Sequence, residues 1–571
     1  GSHLPSRLEL AALAEAEGDV AGAEAQLAPL LAPAAEARLG PIERARALVV
    51  RGRILARSTK GAAAAEAAFA AAVEADPRLT EARVALTRHR LRRGDPAGAV
   101  AATDPVAAQA ARDPALGAAR IRALAAAGRA LDASSLAATA LAAAPGDLGL
   151  LLARATALEA SGKPDEAAAV YREAAARDPS AFEPRLALGR LAVARHDLAL
   201  AATEIAAAVE KGPREPAAQA ALGELRAAQG DAAGAEAAYR AALALDPEHA
   251  NAEVGLARLA LARGDAAGAR ARLERALAID PGNVDGHVAY GTLLWRSGDL
   301  PGAEKALQAA VELAPRHALA LSRLGAVKLE RGDAAGAVKA LNTASNEDER
   351  LAEARLWLGR ALLARGEMPG AIAQLKKAVE LEPSNAEHAL RLGEALERSG
   401  AAQEAIDAYR ASAVAAPRAP EPHERIAAVY VANGRCEDAV PELEKAAALG
   451  PKLARIRIAL GDCKAKLGKH EEAARIFREV LRADPREVQV VYRLARAVHE
   501  SESAKAALPL YERAAREDGR NPMPHYYLGY LYKERNQRAR AVQEFRRYLA
   551  LKPDADEKKD ILAEIEDLEP R

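Results

Sequence analysis

The sequence predicts an all-α fold, an open stack of antiparallel helix pairs, on three observations. Prolines recur on one ladder of 34 residues: Pro77, Pro145, Pro179, Pro213, Pro247, Pro281, Pro315, Pro383, Pro417, Pro451, Pro485 and Pro553. Alanine stands twelve residues before each rung, from Ala65 through Ala303 to Ala541 without a gap. Glycine stands seventeen residues before most rungs, as at Gly94, Gly230, Gly298 and Gly468. A period of this size marks a repeat architecture in which one small unit is stacked many times.

Each unit reads as two helices. In residues 182–195, FEPRLALGRLAVAR, apolar residues fall at helical spacing and proline is confined to the first turn, where its missing N–H costs nothing. A Gly-Asp or Gly-Lys turn follows, because glycine takes the left-handed conformation that ends a helix. The second helix stops at an Asp-Pro or Ala-Pro pair such as Asp178-Pro179. A helix of about 14 residues is about 21 Å long, too short to persist alone, so its apolar face must be buried on neighbours. The small residues allow that approach. Ala303 on the second helix faces Gly291 on the first, and an aromatic or leucine four residues after the alanine (Tyr171, Tyr239, Tyr409, Phe477, Tyr511, Phe545) fills the remaining gap.

In chain order, Gly1-Ser2-His3 has the look of an expression scar, which leaves room for a lost targeting or anchoring segment. Residues 4–45 read as a degenerate first repeat. Residues 46–113 read as repeats that end irregularly. About nine extra residues precede Gly61, taken as a longer helix from Pro41, and Pro105 falls inside a second helix, where a kink or restart is expected. Residues 114–349 are regular, except that Asn342–Asp348 gains polar helix breakers and loses its proline, the expected place for a joint. Residues 350–553 continue the repeats with a tyrosine-rich end, in which Pro441 and Pro509 are expected to bend their helices mildly. Residues 554–571 fit a charged helix that caps the last apolar face.

This constellation resembles the tetratricopeptide repeat family, in the form of long bacterial-type arrays. In residues 284–317 the matching positions are Tyr290-Gly291, Ala303, Leu307, Ala310 and Pro315. The resemblance implies a right-handed superhelical solenoid of about 15–16 such units, with first helices lining a concave surface that holds proteins or peptides. It does not imply one partner, since a fold carries many functions.

Composition narrows the classes. The 571 residues hold 80 basic and 80 acidic side chains, a balance that argues against a nucleic-acid backbone as partner. Hydrophobic residues make up 50% but aromatics only 3%, so the core is alanine and leucine and stability is a sum of modest interfaces. No apolar stretch is long enough for a membrane span. Cys436 and Cys463 lie toward the same end of neighbouring helices and read as buried free thiols, with a disulfide as the alternative.

No enzymatic constellation, cofactor site or metal motif is expected: there is no phosphate-cradling glycine loop, no zinc-type cysteine pair and no HExxH. His287, His423 and His525 share one repeat position and read as packing residues. The resemblance places first-helix arginines on the inner surface: Arg88, Arg190, Arg258, Arg360 and Arg496, with Arg323, Arg391, Arg425 and Arg493. They alternate with the carboxylates Glu224, Glu394 and Asp462. A solvated mosaic is the plain reading of these.

The C-terminal end differs. Seven of 12 tyrosines follow position 490. Tyr526, Tyr527 and Tyr530 map to the inner surface beside Tyr492, Arg493 and Arg496, with Lys533 on the same helix face. Trp295 and Trp357, with Arg360, map there too. Aromatics and arginine are the residues enriched in interface hot spots. The expected function is therefore a non-enzymatic scaffold that binds a protein or peptide in the concave groove, with no small-molecule cofactor. An envelope-assembly, motility or polysaccharide-export scaffold is one alternative, and the interaction arm of a larger truncated enzyme is another. The expected location is soluble, leaning to the bacterial envelope or periplasm over the cytoplasm.

Overall fold

The computed structural model describes residues 4–32, 39–57 and 61–569, so the Gly1–His3 scar reading lies outside the described residues. The described residues are helical, with fifteen helix pairs in contact, two further helices Ala352–Ala364 and Met368–Leu381, and a terminal helix Lys558–Leu568. They fall into two compact units, Gly1–Ala361 and Leu362–Arg571. In the first unit most first helices of successive pairs touch one another along one layer and second helices form the other layer; in the second unit the first helices Ala454–Lys466 and Val488–Ser501 do so. The closer spacing makes the first-helix layer the inner one.

The repeat positions act as the sequence predicts. All fifteen ladder alanines from Ala65 to Ala541 have no solvent exposure. A Cβ on Gly223 would stand 2.6 Å from the Tyr239 ring, and one on Gly461 would stand 2.5 Å from Phe477. Glycine and ring therefore fit as a matched pair, and no side chain could replace the hydrogen. In the Gly-Asp turns the glycine is left-handed (Gly230, φ +80°) and the aspartate caps the next helix, Asp231 accepting from the Gly234 N–H at 2.8 Å. Two non-glycines take the same rung with the same conformation, His196 (φ 60°) and Asn536 (φ 58°).

The first pair is Leu4–Glu17 with the short Val20–Leu27. The helix from Pro41 does begin where expected but runs only 15 residues, to Leu55, with Ala56 and Arg57 in a turn; residues 58–60 lie outside the described residues. At Pro105 the second helix Pro96–Thr103 gives way to a 3₁₀ segment, Asp104–Gln109, with Val106 outside helical geometry, before a restart at Pro114. Around Asn342–Asp348 the polar helix breakers do not interrupt the helix. Ala334–Glu347 is a regular 14-residue helix, with Ala344 and Ser345 buried, because tertiary burial outweighs the weak propensity of its polar residues. Pro441 and Pro509 sit inside continuous helices. The terminal helix buries Ile561, Ile565 and Leu568 against the core of the last pairs.

The first unit also coils back onto itself. The turn at Gly94 meets the inter-repeat loop at Gly282, where a Cβ on Gly282 would lie 2.8 Å from the Gly94 backbone. Arg93 reaches the Ala278 carbonyl at 3.5 Å across 185 positions, and Arg316 reaches the Ser161 carbonyl at 3.2 Å across 155. A cavity of about 820 Å³ lies along this seam, lined by Arg57, Arg92, Arg93, Asp246, His249 and Asp280 among others.

Candidate partner-binding surfaces

The tyrosine-rich end of the second unit is one connected aromatic network. Helix Pro522–Glu534 presents tyrosines at 526, 527 and 530 because its core positions are taken by Pro524, Leu528, Gly529 and Leu531. Tyr527 stacks on Tyr511 with ring centres 5.0 Å apart and planes 13° from parallel, while Tyr492 lies 6.3 Å from it. Tyr526 meets Tyr530 edge-on at 5.1 Å and Tyr548 at 5.3 Å, and Tyr530 rests on Phe545 at 5.0 Å. Tyr492, Tyr526, Tyr527 and Tyr530 are all half-buried, so each has one face packed on the core and an edge open to solvent. Burial pushes the Tyr530 phenol up to about 12, with Tyr526 beside it adding to the rise, so the ring is a neutral hydrogen-bond donor at physiological pH.

The charged residues assigned to this surface divide. Arg496 is exposed, with its guanidinium 5.9 Å from the Tyr527 ring centre. Arg493 is held by Asp462 at 3.0 Å, and Lys533 is paired with Glu564 of the terminal helix. Burial alone would raise Asp462, and it does stand above its ordinary range even though Arg493 opposes the rise. A cavity of about 490 Å³ opens beside these groups, lined by Asp462, Cys463, Lys466, Tyr492, Arg493 and Arg496. Tyr526, Tyr527 and Tyr530 are not among its lining residues. His499 was not anticipated. It meets the Tyr511 hydroxyl at 3.3 Å and the Tyr527 ring edge-on at 6.0 Å, and its place seven residues after Tyr492, two helical turns on, was the available signal.

In the first unit, Trp295 and Trp357 come together across the intervening pair, with ring centres 5.3 Å apart. Arg360 lies 4.0 Å over the Trp357 ring, and the Trp295 indole N–H donates to Glu330 at 2.8 Å. Trp357 itself is only 8% exposed, so Trp295 and Arg360 carry the open part of this patch.

Most inner arginines are neutralised by a neighbouring repeat: Arg190 by Glu224 at 3.2 Å, Arg258 by Asp285 at 2.9 Å, Arg323 by Glu353 at 3.6 Å and Arg425 by Glu394 at 3.0 Å. His423 and His525 make the same contact, each bonding a second-helix glutamate (Glu442, Glu544) at 2.5 Å, whereas His287 bonds the Pro281 carbonyl at 2.9 Å. Cys436 and Cys463 are both buried and free.

Tetratricopeptide repeat models match residues 148–191, 186–250, 226–275 and 260–326, then 323–381, 358–420, 425–488 and 458–522. Together these span more than half of the chain. The chain belongs to the tetratricopeptide repeat family. Such repeats serve in general as protein-interaction scaffolds. No curated protein matches the chain. Among solved structures, the APC/C hetero-tetramer Cut9–Hcn1 is 15% identical over 92% of this chain and 98% of that one, with a TM-score of 0.45. MamA is 26% identical over 30% of this chain and 94% of its own, with a TM-score of 0.28. The C-terminal part of a repeat-containing protein from Cytophaga hutchinsonii is 15% identical over 48% of this chain and 99% of its own, at 0.35. Scores this low carry nothing about shape or partner. No helix among the described residues is long and apolar enough to cross a membrane.

Proposed function

We propose that this protein is a non-enzymatic scaffold that holds a partner protein or peptide on the inner, first-helix surface, with a principal contact site at the tyrosine-rich end. The observation that supports the reading is the half-buried network of Tyr492, Tyr526, Tyr527 and Tyr530 with exposed Arg496 at its edge. A partner closing over these rings covers large area at low entropy cost, because their positions are already set by packing. Arg496 supplies the charged anchor, while Arg493 and Lys533 act as fixed supports through Asp462 and Glu564.

The packing also decides how the site is tested. Replacing Tyr526, Tyr527 and Tyr530 together by Ala would remove contacts to Tyr548, Tyr511 and Phe545 and loosen the fold, so a loss of binding would be ambiguous. Arg496→Glu leaves the core intact. Partner recovery by the intact chain should fall at least tenfold with Arg496→Glu and stay unchanged with Arg540→Glu, an exposed arginine on a second helix. Equal recovery by all three proteins would overturn the assignment.

A further inference from the structure

Among the inner arginines of the first unit, one neighbouring group of three is left without ion pairs. Arg88 and Arg122 occupy the same position in successive repeats, and Arg92 follows Arg88 by one helical turn. Among the described residues none of the three makes an ion pair; Arg122 has only a long 3.4 Å contact to the Gly149 carbonyl. The same position two repeats further on is Arg190, which has its glutamate. Arg122 had a readable signal, since it lies on the 34-residue rung between Arg88 and Arg190.

The three guanidinium groups share one cavity of about 470 Å³, whose apolar lining is Phe69, Val84 and Leu91. Its remaining arginine, Arg53, is already engaged by Glu81 at 3.1 Å. Burial lowers both Arg122 and Arg92, and Arg88 lowers each further by like-charge repulsion; Asp280, across the seam, opposes this only for Arg92. Arg88 and Arg92 are exposed and Arg122 is half-buried, and the carboxylate among the lining residues, Glu81, is shared with Arg53. Three guanidinium groups thus stand around one recess with donors open to an anion.

We propose that the recess formed by Arg88, Arg92 and Arg122 is a docking site for an acidic peptide segment that places carboxylates on the arginines and an apolar side chain on Phe69, Val84 and Leu91. Three features favour this occupant. The recess is too small for a folded domain and suits side chains of an extended segment. The apolar lining between the charges asks for alternating acidic and apolar residues. A nucleic-acid strand would meet carboxylates along the rest of the inner surface, in a chain whose formal net charge is zero. This surface is separate from the tyrosine network and stands whether or not that one binds a partner.

The test is fluorescence anisotropy of the full chain with fluorescein-labelled (Glu-Glu-Leu)4 at low salt. We expect saturable binding that weakens as salt rises. Arg88→Gln with Arg122→Gln should weaken it at least tenfold. Arg122→Lys should retain most of it, and Arg190→Gln should change it less than twofold. Arg88 is exposed, so Arg88→Gln alone remains informative if the double variant fails to fold, and it should cost at least threefold. Absence of binding, equal loss with Arg190→Gln, or equal binding of (Gln-Gln-Leu)4 would each overturn the proposal. So would tighter binding of a phosphoserine peptide or of an oligothymidylate, which would make the occupant a phosphate carrier.

Discussion

Gly282→Ala isolates the seam of the first unit from everything the repeats do locally. Most repeats carry a side chain at this position, among them Arg214, Glu248 and Arg316, and Gly282 has no left-handed φ. Its local conformation therefore does not require glycine; the approach of Gly94 does. An alanine Cβ would stand 2.8 Å from the Gly94 Cα and N, where ordinary contact is 3.4–4 Å. Backbone meets methyl with no flexible side chain to yield, so the seam must open by about 1 Å or absorb about 1–3 kcal/mol of overpacking. The solvent-exposed hydrogen bonds that close the seam, from Arg93 and Arg316, contribute only about 0.5–1.5 kcal/mol each. At 3.5 Å the Arg93 bond lies at the weak end of that range, so opening is the cheaper response. Small-angle scattering of Gly282→Ala should show a larger radius of gyration and maximum dimension. Amide exchange should quicken around residues 93–95 and 161–163, and the unfolding midpoint should move by no more than about 2 °C. Gly146→Ala is the control: it occupies the same repeat position, but its Cβ meets only the end of the Arg177 side chain at 3.4 Å. Scattering and exchange indistinguishable between the two variants and the parent would refute the reasoning.

Other consequences can be measured directly. His196→Gly should raise stability by about 1 kcal/mol in chemical denaturation, because an exposed left-handed residue loses its strain and nothing else; a decrease would show that the side chain is doing something unseen. Burial, with Cys436 beside it, pushes the Cys463 thiol up to about 12, so iodoacetamide at pH 8 should leave the native protein unlabelled and modify both cysteines in denaturant. Rapid native labelling would contradict the packing. Burial acts to raise Glu442, but hydrogen bonds from His423 and Lys445 outweigh it and hold the carboxyl below its ordinary value. A folded value below the unfolded one stabilises above the ordinary glutamate value, about 4.3, and that contribution is lost as pH falls through the folded value. The gap in thermal midpoint between the parent and Glu442→Gln should therefore be present at pH 6 and closed in strong acid. A gap that widens in acid would reverse the assignment.

The repeat register was legible because it is enforced by neighbours. Alanine at Ala235, glycine at Gly223 and tyrosine at Tyr239 are all within one pair, and their spacing survives in any stack of such pairs. The candidate surface was legible only by mapping. The position of Tyr526 on a first helix follows from the period, but its packing on Tyr548, and the tethering of Lys533 to Glu564, depend on elements further along the chain. The polar run Asn342–Asp348 is helical against its propensity for a related reason: propensity is local, and burial of Ala344 and Ser345 is not. Arg88 and Arg122 look in sequence like Arg190 and Arg258, and only the placement of carboxylates from adjoining repeats separates the paired from the unpaired.

By itself, then, the sequence determined the secondary structure, the pairing of helices and which small residues let them approach, since each depends on residues at most one or two repeats apart. The tertiary structure alone decided the seam between Gly94 and Gly282 and which inner charges are left without partners. A small rotation at every interface, repeated along the unit, brings together residues 185 positions apart. No single repeat encodes that sum.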